Sequence, residues 1–454
     1  MMRSLFSGVS GLRNHQTRMD VIGNNIANVN TIGYKAGRAN FQDVLSQTLS
    51  GASSASATRG GTNPKQVGLG MGLASIDTIF TDGSFQPTGK QSDLSIQGQG
   101  FFILANGSVT NRVYSRAGNF DFDEYGNYVV PGTGLQVMGW MADANGVLNT
   151  NDDITTIKIP VGGTMAARAT TSITFEHNLS GEVEALTAAN AADPDYAHPS
   201  RYKASIPVYD GQGSAHKVSG TFEKVNSNQW LFTPDATTDT GSTVAPVLGN
   251  SVLLTFDAAN GAFVSAVPYN AGTPHPIDDG GSTAGAATDP FEITIDPDDA
   301  AGYGAATFTA TLDFSALTQR GGESTAQALE QDGYPAGELD RITIDTSGVI
   351  QGNFTNGEFQ TLARVALATF NNPAGLTKAG SSLYSESNNS GVAQIGTTKT
   401  GGRGELSPGT LEMSNVDLAE EFSNMVITQR GFQANSRIIT TTDEMLQELA
   451  NLKR

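Results

Sequence analysis

Apolar residues at the two ends of the chain repeat with the period of an α-helix. Near the start they are separated by four, three, seven and seven residues, and near the end the same rhythm returns with one further step of seven. Such spacing aligns side chains along one helix face as a heptad-like stripe. We predict that these apolar residues form an assembly interface: Leu5, Val9, Leu12, Met19, Ile26, Leu418, Phe422, Met425, Phe432, Ile439 and Leu446.

Residues beside the stripes predict where the helices begin and end. Asn24, Asn25 and Asn28 disfavour a helix interior and Gly33 follows, so the first helix should end near residue 33. The same asparagines could instead fix the register of paired helices, and both interpretations stay open. Ser414 stands where a capping box would start the second helix. Two long amphipathic helices are expected to pair, either within a monomer or, as we predict, together with neighbouring copies.

Between the helices, apolar and polar residues alternate as they do in β-strands. Ile206 and Val208 lead into a turn at 210–211, and Val218 continues the pattern beyond it. Strands joined by short turns predict antiparallel sheets. The expected fold class is multidomain, with paired long terminal α-helices of coiled-coil type and all-β middle domains of antiparallel sandwich or barrel type.

Composition narrows the class of protein. Glycine supplies 53 of the 454 residues, which fits many turns, and there is no cysteine to form disulfides or ligate a metal. The net charge of −19 argues against a nucleic-acid partner, because phosphates attract basic surfaces. Residues 151–325 hold 21 acidic and 7 basic side chains, which accounts for −14 of that charge. This segment either faces solvent in an assembly or is an ordinary acidic domain.

Two loops resemble ligand sites without completing the pattern. Residues 83–90 have five residues between the glycines where a phosphate-binding loop has about four. Residues 121–126 begin like a calcium loop, but Tyr125 occupies a ligand position and Gly132 replaces the closing glutamate. We therefore predict no catalytic residue, no cofactor, no metal site and no enzymatic activity.

The start of the chain does not predict a conventional secretory signal. It carries one basic residue before residue 13 and lacks the apolar core of about 7–15 residues that such signals contain. No stretch of the sequence approaches the roughly 18 apolar residues of a membrane helix. We expect no membrane insertion, and export would need another route.

Several long motifs resemble those of bacterial flagellar rod and hook proteins, and they occur in the family's order. They are VIGNNIANVNTIGYK at 21–35, PTG at 87–89, GQGFF at 98–102, SRAGNF at 115–120, QDGY at 331–334, ATFNNP at 368–373, GL at 375–376, and SNVDL and QRGFQANS within 411–439. The likeness covers roughly residues 1–146 and 326–454, whereas the insertion at 147–325 carries no recognised motif. Chain length and the segment at 331–376 favour the hook branch over the distal rod branch.

The resemblance implies a structural subunit that self-assembles into a flagellar hook, a tubular universal joint that transmits torque from rod to filament. The terminal helices would form an inner coiled-coil tube inside shells of β domains. Implied partners are many copies of the chain, the distal rod, hook cap and hook–filament junction proteins, and the flagellar type III export apparatus. The implied location is extracellular, in the hook attached to the basal body.

We predict four domains. They are a helical terminal assembly domain (1–33 plus 414–454), a flexible connector rich in Gly, Ser and Thr (34–72 plus 385–413), an inner β domain (73–146 plus 326–384) and an outer acidic β domain (147–325). Two alternative functions stay open: a distal rod protein of the basal body, and a secreted adhesin-like β protein that binds through residues 147–325.

Overall fold

A computed structural model of the chain describes residues 2–55, 59–159, 162–187, 199–239, 241–246, 251–269, 291–297 and 304–451. The chain divides into two compact units. Unit 1 comprises Met1–Val161, Arg341–Gly352 and Gln360–Arg454, and unit 2 comprises Gly162–Asp340 and Asn353–Phe359. Both helices belong to unit 1, and the fold is otherwise mostly β.

The two predicted helices are present as α1 (Met2–Ala27) and α2 (Leu418–Asn451). Gly33 follows α1 with a φ of +66°, a left-handed conformation that glycine adopts without strain. The helix itself ends six residues earlier than expected. The prediction that Ser414 caps α2 is wrong, because the Asp417 carboxylate accepts from the backbone N–H of Ala419 at 2.8 Å and of Glu420 at 3.3 Å.

The strands are short and follow one another closely along the chain. The first twelve are β1 (Gly37–Asp43), β2 (Ser46–Ser50), β3 (Lys65–Gly68), β4 (Met71–Thr78), β5 (Phe85–Pro87), β6 (Leu94–Gln97), β7 (Phe101–Ala105), β8 (Arg112–Ser115), β9 (Asp121–Phe122), β10 (Tyr128–Val129), β11 (Gln136–Met141) and β12 (Thr155–Thr156). The next fourteen are β13 (Thr164–Met165), β14 (Ser172–Ser180), β15 (Arg201–Tyr209), β16 (Ala215–Asn226), β17 (Gln229–Pro234), β18 (Thr243–Pro246), β19 (Ser251–Phe256), β20 (Phe263–Tyr269), β21 (Phe291–Asp296), β22 (Phe308–Arg320), β23 (Gln327–Gln331), β24 (Gly337–Ile344), β25 (Val349–Phe354) and β26 (Phe359–Val365). The last six are β27 (Leu367–Thr369), β28 (Thr377–Gly380), β29 (Leu383–Ser385), β30 (Gln394–Gly396), β31 (Glu405–Pro408) and β32 (Thr410–Glu412).

Unit 1 is built on an antiparallel sheet in the order β26-β11-β7-β8-β29-β28. Its core contains a cluster of aromatic rings in edge-to-face contact, with Phe101 lying 5.7 Å from both Phe370 and Tyr384. Trp140 is buried in the same core, where its Nε1 donates to the Asp152 carbonyl at 2.9 Å. Separate two-stranded ladders join β5 to β32 and β6 to β31, so segments from opposite ends of the sequence close this unit together.

Unit 2 contains two five-stranded sheets, ordered β18-β21-β22-β14-β23 and β15-β16-β17-β19-β20. The predicted hairpin at 206–218 is formed, with Ile206 paired to Val218. The sheets are antiparallel except at one place, since β14 and β22 run parallel. The core between β14, β16, β17 and β22 is packed with aromatic side chains, and Phe175, Phe222 and Phe232 are all buried there. Trp230 is fully buried, and its Nε1 finds no acceptor among the described residues.

The segment Gln331–Gly333 turns the chain at the edge of unit 2. The Asp332 carboxylate accepts from the backbone N–H of Thr171 at 2.7 Å and of Ser172 at 2.9 Å. A Cβ at Gly333 would lie 2.3 Å from the Thr170 hydroxyl oxygen, so only glycine fits this approach. One motif of the sequence is therefore explained as a tight, hydrogen-bonded turn.

The segments predicted to be flexible connectors contain paired strands. Strands β1 and β4 form a hairpin that continues through β2 and β3, and this β1–β4 hairpin spans residues 37–78. Strand β1 also packs against α1. In the second segment, β30 pairs with β27 and β31 with β6. In the described part of the chain, no helix is long and apolar enough to cross a membrane.

Candidate assembly surface and its buried junction

Helices α1 and α2 lie antiparallel and meet along faces made of small and polar residues. A Cβ at Gly8 would lie 3.4 Å from Ile439, and one at Gly11 would lie 2.7 Å from the Asn435 amide. Closer to the strands, a Cβ at Gly431 would lie 2.8 Å from both Cε1 and Nε2 of the His15 ring. Glycine on both helices therefore allows the two backbones to approach closely.

Hydrogen bonds fix the register of this pair. Arg18 Nη2 donates to Asn424 Oδ1 at 3.2 Å, and Asn25 Nδ2 donates to Glu421 Oε1 at 2.9 Å. The buried Asn25 amide also donates to the Gly37 carbonyl at 2.8 Å and accepts from the Gly37 N–H at 2.9 Å. Asn25 thus joins α1 to both α2 and β1, a role that favours register over helix termination.

Burial lowers the pKa of His15, and the nearby Arg18 cation lowers it further. The ring is accordingly neutral at pH 7. Its Nδ1 is buried and has no hydrogen-bond partner among the described residues. A neutral imidazole is the form that this close helix contact tolerates best, because an imidazolium would be buried without a counter-ion.

The predicted interface residues differ in how far one copy of the chain covers them. Seven are half-buried: Leu5, Leu12, Met19, Ile26, Met425, Ile439 and Leu446. Four are exposed: Val9, Leu418, Phe422 and Phe432. Of these eleven, Ile439 lies directly against α1, beside Gly8. Within one copy, four of the eleven stripe residues are thus exposed and seven are partly covered.

Further large apolar side chains on the helices are exposed and were missed by the heptad pattern. They are Phe6 on α1 and Val426, Ile427, Ile438 and Met445 on α2. Phe422 is 53% and Ile427 59% exposed. The inner face was missed as well, because its Gly8, Gly11 and Asn25 follow the helical period without being apolar. A search for small and polar residues at that period could have found it.

The β1–β4 hairpin presents a second exposed apolar surface. Its uncovered side chains are Val44, Leu45, Leu49, Val67, Leu69, Leu73 and Ile76, with Leu45 80% exposed. The hairpin is anchored to α1, where Asn14 Nδ2 donates to the Met71 carbonyl at 2.7 Å. Contiguous exposed apolar surface on a soluble chain commonly marks a protein interface.

Where the helices meet the β-strands, three charged side chains are buried together. Lys35 Nζ lies 2.6 Å from Glu412 Oε1, and both side chains are fully buried. Arg116 Nη1 lies 3.4 Å from Glu412 Oε2 and 3.6 Å from Asp82 Oδ1. We call these four residues the junction cluster. It ties the segment after α1, the first β segment and the segment before α2 into one site.

Backbone groups complete the junction cluster. Lys35 Nζ donates to the Thr81 carbonyl at 2.7 Å, and the Gly83 N–H donates to Glu412 Oε1 at 3.1 Å. Burial lowers the pKa of Lys35 even though the Glu412 carboxylate acts in the opposite direction. Arg116 Nη2 donates to the Gly98 carbonyl at 2.7 Å. Sequence reasoning missed this cluster, because buried charges look like surface charges until their partners are known.

The loops that resembled ligand sites have structural roles. A Cβ at Gly83 would lie 2.1 Å from the Met413 carbonyl oxygen, so this glycine permits a close backbone contact. The Asp123 carboxylate accepts from the N–H groups of Tyr125 and Asn127 and thereby closes a turn. Over the described ranges, no group of three or more acidic, His or Cys side chains is arranged to hold a metal ion.

Family models match the chain in four stretches. Residues 5–35 match "Flagella basal body rod protein" and residues 407–452 "Flagellar basal body rod FlgEFG protein C-terminal". Residues 95–184 match "Flagellar hook protein FlgE/F/G D1 domain" and residues 178–334 "Flagellar basal body protein FlaE D2 domain". The last match corrects the statement that residues 147–325 carry no recognisable family feature.

Full-length relatives point the same way. The chain is 44% identical to the flagellar hook protein FlgE of Treponema pallidum over 483 residues and 42% identical to that of Borreliella burgdorferi over 462 residues. It is 32% identical to the flagellar basal-body rod protein FlgG of Bacillus subtilis over 455 residues. Each alignment covers 100% of both chains. From these matches we conclude that the chain belongs to the family of bacterial flagellar hook proteins.

Proposed function

We propose that this chain is the structural subunit of a flagellar hook and that its copies polymerise through the outer faces of α1 and α2. The single observation that carries the proposal is the orientation of the helix pair. Its inner face combines glycine and polar residues with a few apolar ones such as Ile439, while Phe422, Val426 and Ile427 remain exposed on α2. Burial of each such side chain between copies contributes about 1.5–3 kcal/mol. The chain is a structural protein and not an enzyme, like the hook proteins it matches.

In the proposed polymer, helices from many copies form a coiled-coil tube through the predicted stripes. The exposed apolar side of the β1–β4 hairpin adds a further contact between copies. We propose the four-domain division given above for the subunit, with residues 147–325 outermost. The polymer is an extracellular universal joint that transmits torque, exported by the type III apparatus and bounded by the distal rod, hook cap and hook–filament junction proteins.

Polymerisation is tested by a chain that ends at Asp417 and therefore lacks α2. A cut at residue 411 would be unsuitable, because it also removes Glu412 from the junction cluster and a buried strand. We expect unit 2 to remain folded, as judged by its unfolding in urea, and negative-stain electron microscopy to show no tubes. Tubes of normal length from the truncated chain would refute assembly through α2.

A finer test changes only the exposed apolar surface. Phe422, Val426 and Ile427 are replaced together by serine, and the matched control replaces the exposed polar residues Ser423 and Gln433 by alanine. We expect the first variant to raise the concentration needed for tubes by at least about tenfold. The control should form tubes like the unchanged chain. Equal polymerisation of both variants would contradict the proposed interface.

The distal rod is the second candidate, because a rod protein also aligns with the whole chain. Isolated basal bodies labelled with an antibody against residues 147–325 distinguish the two. Label along the curved segment supports the hook, and label on the straight rod supports the rod protein. A monomeric chain with no label on either structure would favour the adhesin.

A further inference from the structure

The junction cluster contains more positive charge from the first part of the chain than that part can neutralise. Both cations contact the Glu412 carboxylate: Lys35 lies against Oε1, and Arg116 lies against Oε2. Among the described residues, Asp82 is the only other carboxylate that pairs with either cation, and it is more than one-third exposed. Before Glu412 arrives, closure of this site would bury two cations against one partly solvated carboxylate, which is strongly unfavourable.

Glu412 also comes late in the chain, 377 residues after Lys35. Its segment brings backbone partners with it, since the Glu412 carbonyl accepts from the Gly33 N–H at 2.8 Å. Three residues further on, Asn415 Oδ1 accepts from the Ala36 N–H at 2.8 Å. The C-terminal segment therefore supplies both a counter-ion for the two cations and hydrogen-bond acceptors for two backbone N–H groups of the N-terminal part.

We propose that Glu412 is a latch that keeps unit 1 open until the C-terminal segment docks. Residues 33–36, 81–84 and 94–98 together with Arg116 carry the two cations and most of their partners, but they cannot close around uncompensated charge. Docking of residues 405–415 supplies the missing carboxylate and pairs β31 with β6 and β32 with β5. Unit 1 thus closes only when the whole chain is present.

An open state of this kind would suit a chain that is exported before it folds, and that use rests on the proposed function. The latch itself is a property of a single copy. It is measured below the concentration at which tubes form, so failure of polymerisation would leave it standing, and its own failure would leave the hook proposal standing.

The first measurement is hydrogen exchange on the full chain with Glu412→Gln. We expect the amides of Gly33 and Gly83 to exchange at least about 100-fold faster, because the buried cations lose their partner. The amide exchange rates of strands β21 and β22 in unit 2 should be the same as in the unchanged chain. Glu405→Gln is the matched control, since it removes an exposed carboxylate from the same segment. Unchanged exchange in Glu412→Gln would overturn the latch.

The second variant, Lys35→Met/Glu412→Gln, removes one cation together with the carboxylate. We expect it to regain at least about tenfold of the lost protection, because the remaining Arg116 still has Asp82. If Glu412→Gln alone fails to fold, the comparison becomes whether the double variant folds. A double variant no better than the single one would show that shape, and not charge, requires Glu412.

Pulse-labelled exchange during refolding tests the order of closure. The amides to follow are Ile79, which donates to the Ala36 carbonyl, and Leu94, which donates to the Gly118 carbonyl, because neither partner lies in the C-terminal segment. In the unchanged chain, these two amides should become protected in the same phase as residues 405–412, and in Lys35→Met they should become protected before that segment. Early protection of both amides in the unchanged chain would rule out a latch.

Discussion

The helix pair of unit 1 and the core of unit 2 arrange their side chains in opposite ways. In unit 2, aromatic residues such as Phe232 and Phe314 are buried against each other, with ring centroids 5.3 Å apart. In the pair, glycine and asparagine lie inside while Phe422 and Ile427 face outward. Unit 2 therefore buries its aromatic core within one copy, whereas the helices leave large apolar side chains exposed, which we propose other copies cover.

The largest contrast is expected from phenylalanine truncation. Phe232→Ala should destabilise unit 2 by about 3–5 kcal/mol, because it leaves a cavity in a packed core. Phe422→Ala should change the stability of one copy by less than about 0.5 kcal/mol, because the ring is exposed. Urea unfolding below the polymerisation concentration measures both. Similar losses for the two variants would erase the distinction between the regions.

Replacing one glycine in each region by alanine should give the next-largest difference in stability. A Cβ at Gly220 would lie 2.3 Å from the Phe232 ring, which the surrounding core holds in place. The atoms nearest to a Cβ at Gly11 belong to the end of the Asn435 side chain, which can move at the cost of one exchangeable hydrogen bond to the Gly431 carbonyl. We expect Gly220→Ala to cost about 1–3 kcal/mol and Gly11→Ala less than about 1 kcal/mol. For each variant, urea unfolding measures how far the midpoint of the substituted unit shifts from its value in the unchanged chain. A larger shift for Gly11→Ala than for Gly220→Ala would contradict the prediction.

Acid should affect unit 2 through Asp332. Burial acts to raise the pKa of this carboxyl group, but hydrogen bonds from Thr171 and Ser172 and the Arg168 cation outweigh burial and lower it below 3.8. The stabilisation is therefore present above the ordinary pKa and is lost as pH falls through the folded value. We expect Asp332→Asn to lose about 1–2 kcal/mol at pH 7.

Unfolding of unit 2 as a function of pH provides the measurement for Asp332. The difference between the unchanged chain and Asp332→Asn should shrink towards zero as the pH falls through the folded pKa of Asp332, below which both side chains are neutral. Glu338→Gln, at an exposed position of unit 2, is the control and should show little difference at any pH. A constant difference across the range would mean that charge is not the cause.

The smallest effect is expected at Gly23 on α1. A Cβ there would meet nothing within 4 Å, so alanine fits without any rearrangement. Gly23→Ala should stabilise α1 by about 0.5–1 kcal/mol through its higher helix propensity. Hydrogen exchange of the surrounding helix amides measures the change. We expect these amides to exchange more slowly in Gly23→Ala. Faster exchange would contradict the prediction.

The sequence predicted what periodicity encodes. Both helices and the hairpin at 206–218 were predicted from this signal. Apolar residues recur every three to four positions in the helices and every two positions in the hairpin strands. Alternation does not specify strand direction, so the parallel pairing of β14 and β22 was not anticipated. The site was only partly predictable, because the inner face depends on Gly8 and Gly11, which carry no apolar signal. Whether the eleven stripe residues meet other copies stays a prediction.

The junction cluster was not predictable for a different reason. Lys35 and Glu412 each lie in a stretch that matches a family model, but neither match states that the two side chains meet. Charged residues are ordinarily exposed, and their burial becomes reasonable only when a partner is known. The partners here are separated by 377 residues, which is far beyond the reach of local pattern.

The distribution of tryptophan gives each unit its own optical reporter. The chain has two tryptophans, Trp140 in unit 1 and Trp230 in unit 2. One indole donates to a carbonyl, whereas the other makes no hydrogen bond among the described residues and has the Lys224 ammonium 6.0 Å from its ring centroid, so their emission spectra should differ. Replacing either by phenylalanine leaves a single fluorophore. Fluorescence of the remaining indole then reports the unfolding of one unit alone. The two units can thus be followed separately without an added dye.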